Sequence, residues 1–170
     1  APGDAELDAT ANILAGGKNS RLYKRLVYDM QVAQSVNAFQ ASNMLGSQFQ
    51  IVVTARPSSE PHAQVLERLK GIVDEELNRL RTEPPAPREL QRVLNQTESN
   101  FYNRMERVGG FGGKADQLNG YLVQVGNADW FNEDLARYRA LQPNDVPAAV
   151  RRWLPSDRRL ELAVVPGGGK

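Results

Sequence analysis

Two long amphipathic stretches, separated only by a short proline-rich turn, constrain the fold of this chain more than any other feature. The first carries an apolar stripe of Val65, Leu66, Leu69, Ile72, Val73, Leu77 and Leu80, and the second one of Leu90, Val93, Leu94, Thr97, Phe101, Met105 and Val108. The turn between them, Pro84-Pro85-Ala86-Pro87, cannot continue a helix because proline has no amide hydrogen. The sequence therefore predicts two long helices, which should pack antiparallel across so short a turn.

Five shorter segments also have helical patterns. The first is Asp4–Ala15, and the second is capped by Ser20 and has Leu22, Leu26 and Val27 on one face. The third contains Leu118, Tyr121, Leu122 and Val125, and the fourth is capped by Asp129 and contains Trp130, Leu135 and Tyr138. The fifth runs from Pro143 to Trp153. The first long helix is predicted to begin after a capping sequence, Ser58-Ser59-Glu60-Pro61.

Strand patterns are fewer. A β-prone stretch over 32–41 and strict alternation of apolar residues from Phe49 to Ala55 predict a hairpin that Pro57 ends. Alternation from Leu160 to Val165 predicts a third strand. No helix separates the hairpin strands and no βαβ unit recurs, so the fold class is α+β, with a largely antiparallel sheet and helices packed on one face. Because a stable sheet usually has about four to six strands, we expect that a strand is lost or comes from another domain.

Length and composition limit the class of protein. The 170 residues fit one domain, which we place at 1–166, followed by a flexible tail at 167–170. A hydrophobic share of 41% and a charged share of 24% are typical of a globular chain, and no apolar run reaches the roughly 18 residues of a membrane span. The formal net charge of +1 offers no excess of positive charge for a nucleic acid.

Metal and acid–base chemistry have little support in the sequence. The chain has no cysteine and one histidine, His62, and the positions three and four residues after it are apolar, so no zinc-ligand spacing is present. The three carboxylates of Asp74-Glu75-Glu76 spread over about 200° of a helix surface and cannot meet at one ion. We interpret them as a solvated helical face with Arg79 and Arg81 nearby.

A glycine-rich segment, Gly109–Gly113, precedes Lys114 and superficially resembles a phosphate-binding loop. Val108 stands where the first glycine of that motif belongs, Ala115 replaces the Ser or Thr that binds magnesium, and a helix rather than a strand comes before it. Nucleotide binding is therefore not predicted. The segment is a corner between helices or, alternatively, a mobile loop that faces a substrate.

Several short motifs occur in a defined order over most of the chain, from Ile13 to Pro166. They are Ile13-Leu14-Ala15-Gly16-Gly17, Ser20-Arg21-Leu22-Tyr23 with Arg25-Leu26, Val52-Val53-Thr54-Ala55-Arg56-Pro57, Gly109-Gly110-Phe111-Gly112-Gly113-Lys114-Ala115-Asp116, Asp134-Leu135-Ala136-Arg137-Tyr138-Arg139, and Asp145-Val146. In this order they resemble the second domain of a half-unit of the M16 zinc metallopeptidases, the family of pitrilysin, insulinase and mitochondrial processing peptidase.

The resemblance implies one piece of a clamshell. In the family, two half-units enclose a chamber, and the first domain holds zinc through an inverted His-x-x-Glu-His motif and a distant Glu, with the motif's Glu activating the zinc-bound water. A chain with one histidine cannot supply that motif, so we expect no zinc or other cofactor in this fragment, the zinc of the parent belonging to a missing domain.

The family also uses an Arg and a Tyr seven residues apart, in the partner half, to hold substrate. The matching positions in this chain are Val27 and Gln34, and the nearby Arg25 lies two residues before the first of them. Because neither matched residue is the required Arg or Tyr, the resemblance implies that this domain belongs to the half that carries the zinc motif upstream. The resemblance implies no catalytic or metal-binding residue in this chain. Candidates for the substrate chamber are Arg25, Gln34, Gly110, Phe111 and Gly112.

The resulting hypothesis is a non-catalytic domain of a zinc metalloendopeptidase that helps to enclose a peptide and packs on the zinc-bearing domain. The alternative is a scaffold or regulatory domain of an inactive family member that acts as a partner subunit.

Expected partners are the other M16 domains, in the same chain or a partner subunit, and a peptide substrate in the assembled chamber. An isolated copy would tend to self-associate through surface meant for its neighbour. Bacterial relatives are often exported, which favours a periplasmic parent, although these residues leave the compartment open.

Overall fold

The computed structural model describes residues 2–167, which combine an antiparallel hairpin with helices. In chain order the elements are α1 (Asp4–Ala15), a π-helix (Tyr23–Asp29), β1 (Ala33–Ala41), β2 (Gln48–Ala55), α2 (His62–Thr82), α3 (Pro87–Glu106), α4 (Lys114–Val125), α5 (Phe131–Arg139) and α6 (Asp145–Trp153). The α+β class is confirmed. Among residues 2–167 no helix combines the length and apolarity needed to cross a membrane.

Helix α1 lies at the centre of the core. It packs on β1, α3, α5 and α6, and its Ile13 and Leu14 have no exposed surface. Small side chains at Ala5 and Ala9 let neighbouring elements approach closely, and both belong to the main buried cluster. The one buried polar side chain of this helix, Thr10, donates its hydroxyl hydrogen to the carbonyl of Glu6 at 2.7 Å, so it is not left unpaired.

The hairpin has the predicted strands and one irregularity. Its register runs from Ala41 opposite Gln48 to Ser35 opposite Thr54, and a bulge then shifts the pairing before Ala33. Gln34 is the extra residue of that bulge. The alternation predicted for β2 also holds, because Phe49, Ile51, Val53 and Ala55 all pack against the core.

The predicted helix caps are wrong at three positions, although the helices themselves exist. The Ser20 hydroxyl donates to the carbonyl of Gly17 at 2.6 Å instead of accepting from a helix amide, and the helix that follows is of the π type. The Ser58 hydroxyl accepts from the Glu60 amide, four residues short of α2. Asp129 lies before the cap position of α5, which Trp130 occupies without a side-chain hydrogen bond. Short polar side chains have several local backbone partners, so the residue type does not select the cap.

The two long helices do not pack antiparallel on each other, which corrects the prediction from their short connection. Helix α2 packs mainly on α6, and α3 packs mainly on α1 and α5. The turn is extended at Glu83 and Ala86, and Pro85 between them is buried, so the chain runs along the core instead of reversing tightly. Helix α3 also ends at Glu106, which leaves Val108 in an exposed loop instead of on the predicted stripe.

The predicted third strand is not part of a sheet. Residues 159–167 have no assigned secondary structure, and the sheet within the described part of the chain has two strands. Leu160, Leu162 and Val164 are 92%, 83% and 85% exposed. The alternating pattern is present, but a strand also needs a backbone to pair with, and within residues 2–167 this segment pairs with none. Residues 168–170 of the predicted tail lie outside the described part.

Candidate functional site

A large groove lies beside strand β2 of the hairpin. Its volume is about 2430 Å³. All eight residues of β2 line it, together with the start of α1, one side of α2 and most of residues 155–166. We refer to this cavity as the groove. Small-molecule sites usually occupy roughly 300–1,000 Å³, so the groove has the size for a stretch of polypeptide.

A network of charged and phenolic groups lies on the wall of the groove. Arg137 is paired with Asp134 and with Asp4, the latter at 3.0 Å. The Tyr121 hydroxyl donates to Asp134 at 2.9 Å and accepts from the Gln117 side chain at 2.6 Å. Burial and the neighbouring Asp134 carboxylate raise the pKa of Tyr121 to about 12. The network ties the first turn of α1 to α4 and α5.

A second phenol makes a similar contact deeper in the fold. The Tyr138 hydroxyl donates to the carboxylate of Asp8 at 2.6 Å, joining α5 to α1. Burial is the main cause that raises the pKa of Asp8, and the hydrogen bond from Tyr138 offsets part of that rise. Burial and the Asp8 charge also raise the pKa of Tyr138. These groups are locked in a structural contact, since the phenol already gives its only proton to a fixed partner.

Arg25, the first chamber candidate, is engaged in ion pairs. It contacts Glu75 and, at 3.1 Å, Glu76 of α2. Glu76 is 3% exposed and also pairs with Arg79 at 3.4 Å, so the interpretation of this acidic run as a wholly solvated face is wrong at Glu76. The physical reason is tertiary: the π-helix brings a guanidinium to Oε1 of this carboxylate, which offsets part of the cost of its burial, whereas Oε2 has no hydrogen-bond partner among the described residues. Arg25 therefore links the π-helix to α2.

Gln34 and the glycine-rich loop are both exposed, in different parts of the fold. Gln34 projects from the bulge of β1, whereas Phe111 stands fully exposed between two glycines, Gly110 and Gly112, that both have positive φ. The loop is fixed at its base, where the amide of Gly112 donates to the Asp116 side chain at 2.9 Å. Within the described residues no hydrogen bond or ion pair joins Arg25, Gln34 and this loop, and none of them lines the groove. Their assignment to a substrate chamber stays a prediction.

The described residues do not fit a zinc ion. His62 lines the groove at the start of α2, but Val65 and Leu66 follow it at one helical turn, and residues 2–167 contain no group of three histidine or carboxylate side chains placed to hold a metal. No step of a zinc reaction can therefore be assigned to these side chains.

Sequence reasoning missed the groove itself. A signal was present, because the count of predicted strands was too low and the pattern from Leu160 to Val165 had no local partner. The network around Arg137 had no such signal, since its members lie far apart in the chain and their meeting depends on how α1 and α5 pack.

Comparison with known proteins identifies relatives at the level of family and fold. The sequence model of the family described as Peptidase M16 inactive domain matches residues 1–97. The inactive peptidase domain of a candidate zinc protease from Bordetella parapertussis has the same fold, with a TM-score of 0.81 and 19% identity over 100% of this chain and 86% of that one. A candidate zinc protease from Bordetella pertussis matches with a TM-score of 0.77 and 22% identity, over 98% of this chain and 87% of that one.

A longer relative shows how the chain compares with a whole protease. A protease from Helicobacter pylori has a TM-score of 0.75 and 20% identity over 91% of this chain, but the chain spans only 35% of that protein. No curated protein matches the sequence. At these identities the structural matches establish a shared fold.

Proposed function

The chain belongs to the family of the peptidase M16 inactive domain, and from that membership we propose that it is a non-catalytic domain of a zinc metalloendopeptidase. In this role it packs on the zinc-bearing domain and forms part of the chamber that encloses a peptide. The resemblance to the M16 second domain is confirmed at the level of family and fold, and the chamber and the packing are the proposal.

The single observation that carries the packing role is an unburied apolar stripe on α4. Leu118, Leu122 and Val125 follow helical spacing, as a core-facing stripe should, yet they are 36%, 55% and 49% exposed. Only Tyr121 of this helix is buried. An apolar stripe that faces outward favours a neighbouring protein surface over solvent. Phe111 lies in the loop just before α4 and is fully exposed as well.

The catalytic metal would be supplied by a different domain. The inverted motif needs two histidines, and this chain has one. The Bordetella parapertussis relative is likewise described as an inactive peptidase domain of a candidate zinc protease. The division of labour we propose is that the zinc-bearing domain performs the hydrolysis and this domain supplies wall surface.

Zinc titration by calorimetry, in parallel with a quenched unstructured peptide, tests the chain on its own. We expect no stoichiometric zinc binding and no cleavage. One-to-one binding with cleavage that is lost in His62→Ala would overturn the proposal, because the chemistry would then lie in this chain.

Two substitutions in the parent protease test the docking surface. Leu122→Asp is expected to lower peptide cleavage by the parent at least about tenfold, since it buries an unpaired charge at the domain contact. The matched control is Asn119→Asp, which adds the same charge at an exposed polar position of the same helix. The isolated chain should keep its Tm in both variants. Equal activity of both parent variants would contradict docking through α4.

The alternative function is a scaffold or regulatory domain in an inactive member of the family. Val27 and Gln34, at the two positions matched to the family's Arg and Tyr, are compatible with it as well, because inactive family members also lose that Arg and Tyr. The two functions differ in the parent protein: an inverted His-x-x-Glu-His motif with zinc-dependent cleavage supports the protease, and its absence, with no cleavage, supports the scaffold.

A further inference from the structure

The hairpin carries no charged side chain, although much of it is exposed. Residues 30–55 contain no aspartate, glutamate, lysine or arginine, and Asp29 and Arg56 flank this run. At the chain's charged share of 24%, a stretch of 26 residues would carry about six charged side chains. Burial explains the missing charges on the core side of the hairpin, because an unpaired charge is costly in a core. The other side is exposed, so its lack of charge has a separate cause.

The register of the hairpin defines this outer side. Phe49, Ile51, Val53 and Ala55 pack on the core, and side chains alternate along a strand, so the residues between them point away from it. We call the outward residues and those opposite them the hairpin face, which consists of the pairs Ser35 with Thr54, Asn37 with Val52, Phe39 with Gln50, and Ala41 with Gln48.

The hairpin face is accessible and mixed in character. Phe39 and Val52 are 43% and 47% exposed, and Asn37 and Thr54 are exposed as well. The remaining side chains are small or carry an amide or a hydroxyl. Because each strand residue rises about 3.3 Å, the six steps from one end of β1's outward row to the other make a face about 20 Å long.

The charged side chains that hydrogen-bond to the hairpin lie off this face. Asp4 accepts from Gln40, on the core side of β1, at 3.1 Å and from Ser42, beyond the end of β1, at 2.5 Å. The Arg56 guanidinium donates to the Ala33 carbonyl at 3.2 Å, beyond the last pair of the face. These contacts therefore bring no charge to the hairpin face.

Composition distinguishes the hairpin face from the apolar stripe on α4. Permanent protein contacts are the more apolar kind, as that stripe is. The hairpin face has two large apolar side chains, and its amides and hydroxyls can bond to water when nothing covers them. The same amides can donate to and accept from the main chain of any peptide. A charged side chain placed on the face would lose water and gain no partner of opposite charge.

We propose that the hairpin face is the surface through which this domain contacts an enclosed peptide, and that it selects peptide segments without charged side chains. The contact is made by the side chains of the face. An extended peptide of about six residues spans the 20 Å of the face, so the selection applies to a segment of that length. The proposal rests on the proposed function in one respect, that the parent protein encloses a peptide, and it adds the class of peptide.

Peptide binding by the parent protein tests the selection, with zinc removed by a chelator so that the peptides stay intact. The probes are four fluorescent peptides of about twelve residues, twice the length of the face. The first is uncharged, with asparagine at four spaced positions. The second and third carry aspartate and lysine at those positions, so no uncharged segment of six residues remains. The fourth carries its four aspartates together at one end.

Fluorescence anisotropy gives the Kd of each peptide. Spaced aspartate and spaced lysine should both raise Kd at least about tenfold relative to asparagine, because the face has no partner for either charge. The peptide with clustered aspartates has the same net charge as the second peptide but keeps an uncharged segment. Its Kd should stay within about twofold of the uncharged peptide.

A charge placed on the face should change the selection in opposite directions for the two signs. Asn37→Lys is expected to lower the Kd of the spaced-aspartate peptide at least about fivefold and to raise that of the spaced-lysine peptide. A distorted face would weaken both. The matched control is Asn95→Lys, which adds the same charge at an exposed position of α3 and should leave every Kd unchanged. Thr54→Lys, exposed on the neighbouring strand, repeats the test if Asn37→Lys lowers the Tm of the parent.

Several outcomes overturn the proposal. Equal Kd values for spaced and clustered aspartates show that no uncharged segment is selected, and tighter binding of either charged peptide shows attraction by a charged surface. An unchanged order of Kd values in both lysine variants places the selection on another surface. Separation of this domain from its neighbours in those variants shows that the face is a permanent domain contact. Failure of the zinc-loaded parent to cleave any peptide contradicts the protease role alone, since the Kd values are measured without zinc.

Discussion

The hydrogen bond between Tyr138 and Asp8 offers the most direct test of how the helices are held around α1. The perturbation is Tyr138→Phe, which removes one oxygen atom from a residue that is 8% exposed. The ring stays, and with it the edge-on contact to Phe101, whose centroid lies 5.4 Å away. What is lost is the 2.6 Å bond to a half-buried carboxylate.

The magnitude follows from the character of the acceptor. A hydrogen bond to a charged group contributes about 1.5–3 kcal/mol to stability. Asp8 keeps some contact with water, so the lower part of that range applies, about 2 kcal/mol. In a chain of this size such a loss lowers Tm by roughly 4–8 °C. Without Tyr138 the raised pKa of Asp8 should rise further, because this hydrogen bond is the larger of the two contributions that lower it, the other being the charge of Arg137.

The pH dependence gives this prediction a specific signature. A carboxyl group whose pKa is raised in the folded state costs stability above its unfolded pKa of about 3.9, where the unfolded chain ionises more readily. The loss of unfolding free energy caused by Tyr138→Phe should therefore be complete at neutral pH and should shrink as the pH falls through the raised pKa of Asp8.

Urea unfolding of four proteins measures the effect: the wild type, Tyr138→Phe, Asp8→Asn and the double variant. In the Asp8→Asn background the same tyrosine substitution should cost about half as much, since a neutral acceptor forms the weaker bond. A loss below about 0.5 kcal/mol at pH 7, or an equal loss in both backgrounds, would refute the reasoning.

Two further predictions concern the surface of the fold. Glu89→Gln should cost about 1 kcal/mol at pH 7, because Arg21 donates two hydrogen bonds to Glu89, at 2.9 and 2.8 Å. Burial raises the pKa of Glu89, but the hydrogen bonds from Arg21 outweigh burial and hold that pKa below its usual value. The ion pair therefore stabilises the fold above the unfolded pKa of about 4.3, and this stabilisation is lost as pH falls through the lowered folded pKa. An equal loss of unfolding free energy in urea at pH 7 and at a pH well below the folded pKa would contradict this. Phe111→Ser should change Tm by no more than about 1 °C, because the ring is fully exposed. The control Phe101→Ala removes a buried ring and should lower the free energy of unfolding by about 3–5 kcal/mol. If thermal scans show a similar fall in Tm for both variants, the Phe111 ring is part of the core.

The sequence by itself determined the elements whose cause is local. Helix α1 has the predicted bounds, and the hairpin and the two long helices lie where their periodicity placed them, because burial of one face requires a repeat that can be read along the chain. The caps were less determined, since hydroxyl groups such as that of Ser20 have competing backbone partners within a few residues.

The tertiary structure decided which faces meet. Periodicity shows which face of a helix is apolar but does not show which element that face contacts. Helix α2 thus packs on α6 instead of α3, and the apolar stripe from Leu118 to Val125 faces outward. The five chamber candidates and the domain bounds at 1–166 stay predictions for the same reason, because they depend on surfaces beyond this chain. Strand formation is the clearest case: residues 160–165 have the pattern of a strand, but a strand requires the backbone of a neighbour, and within the described residues they pair with none.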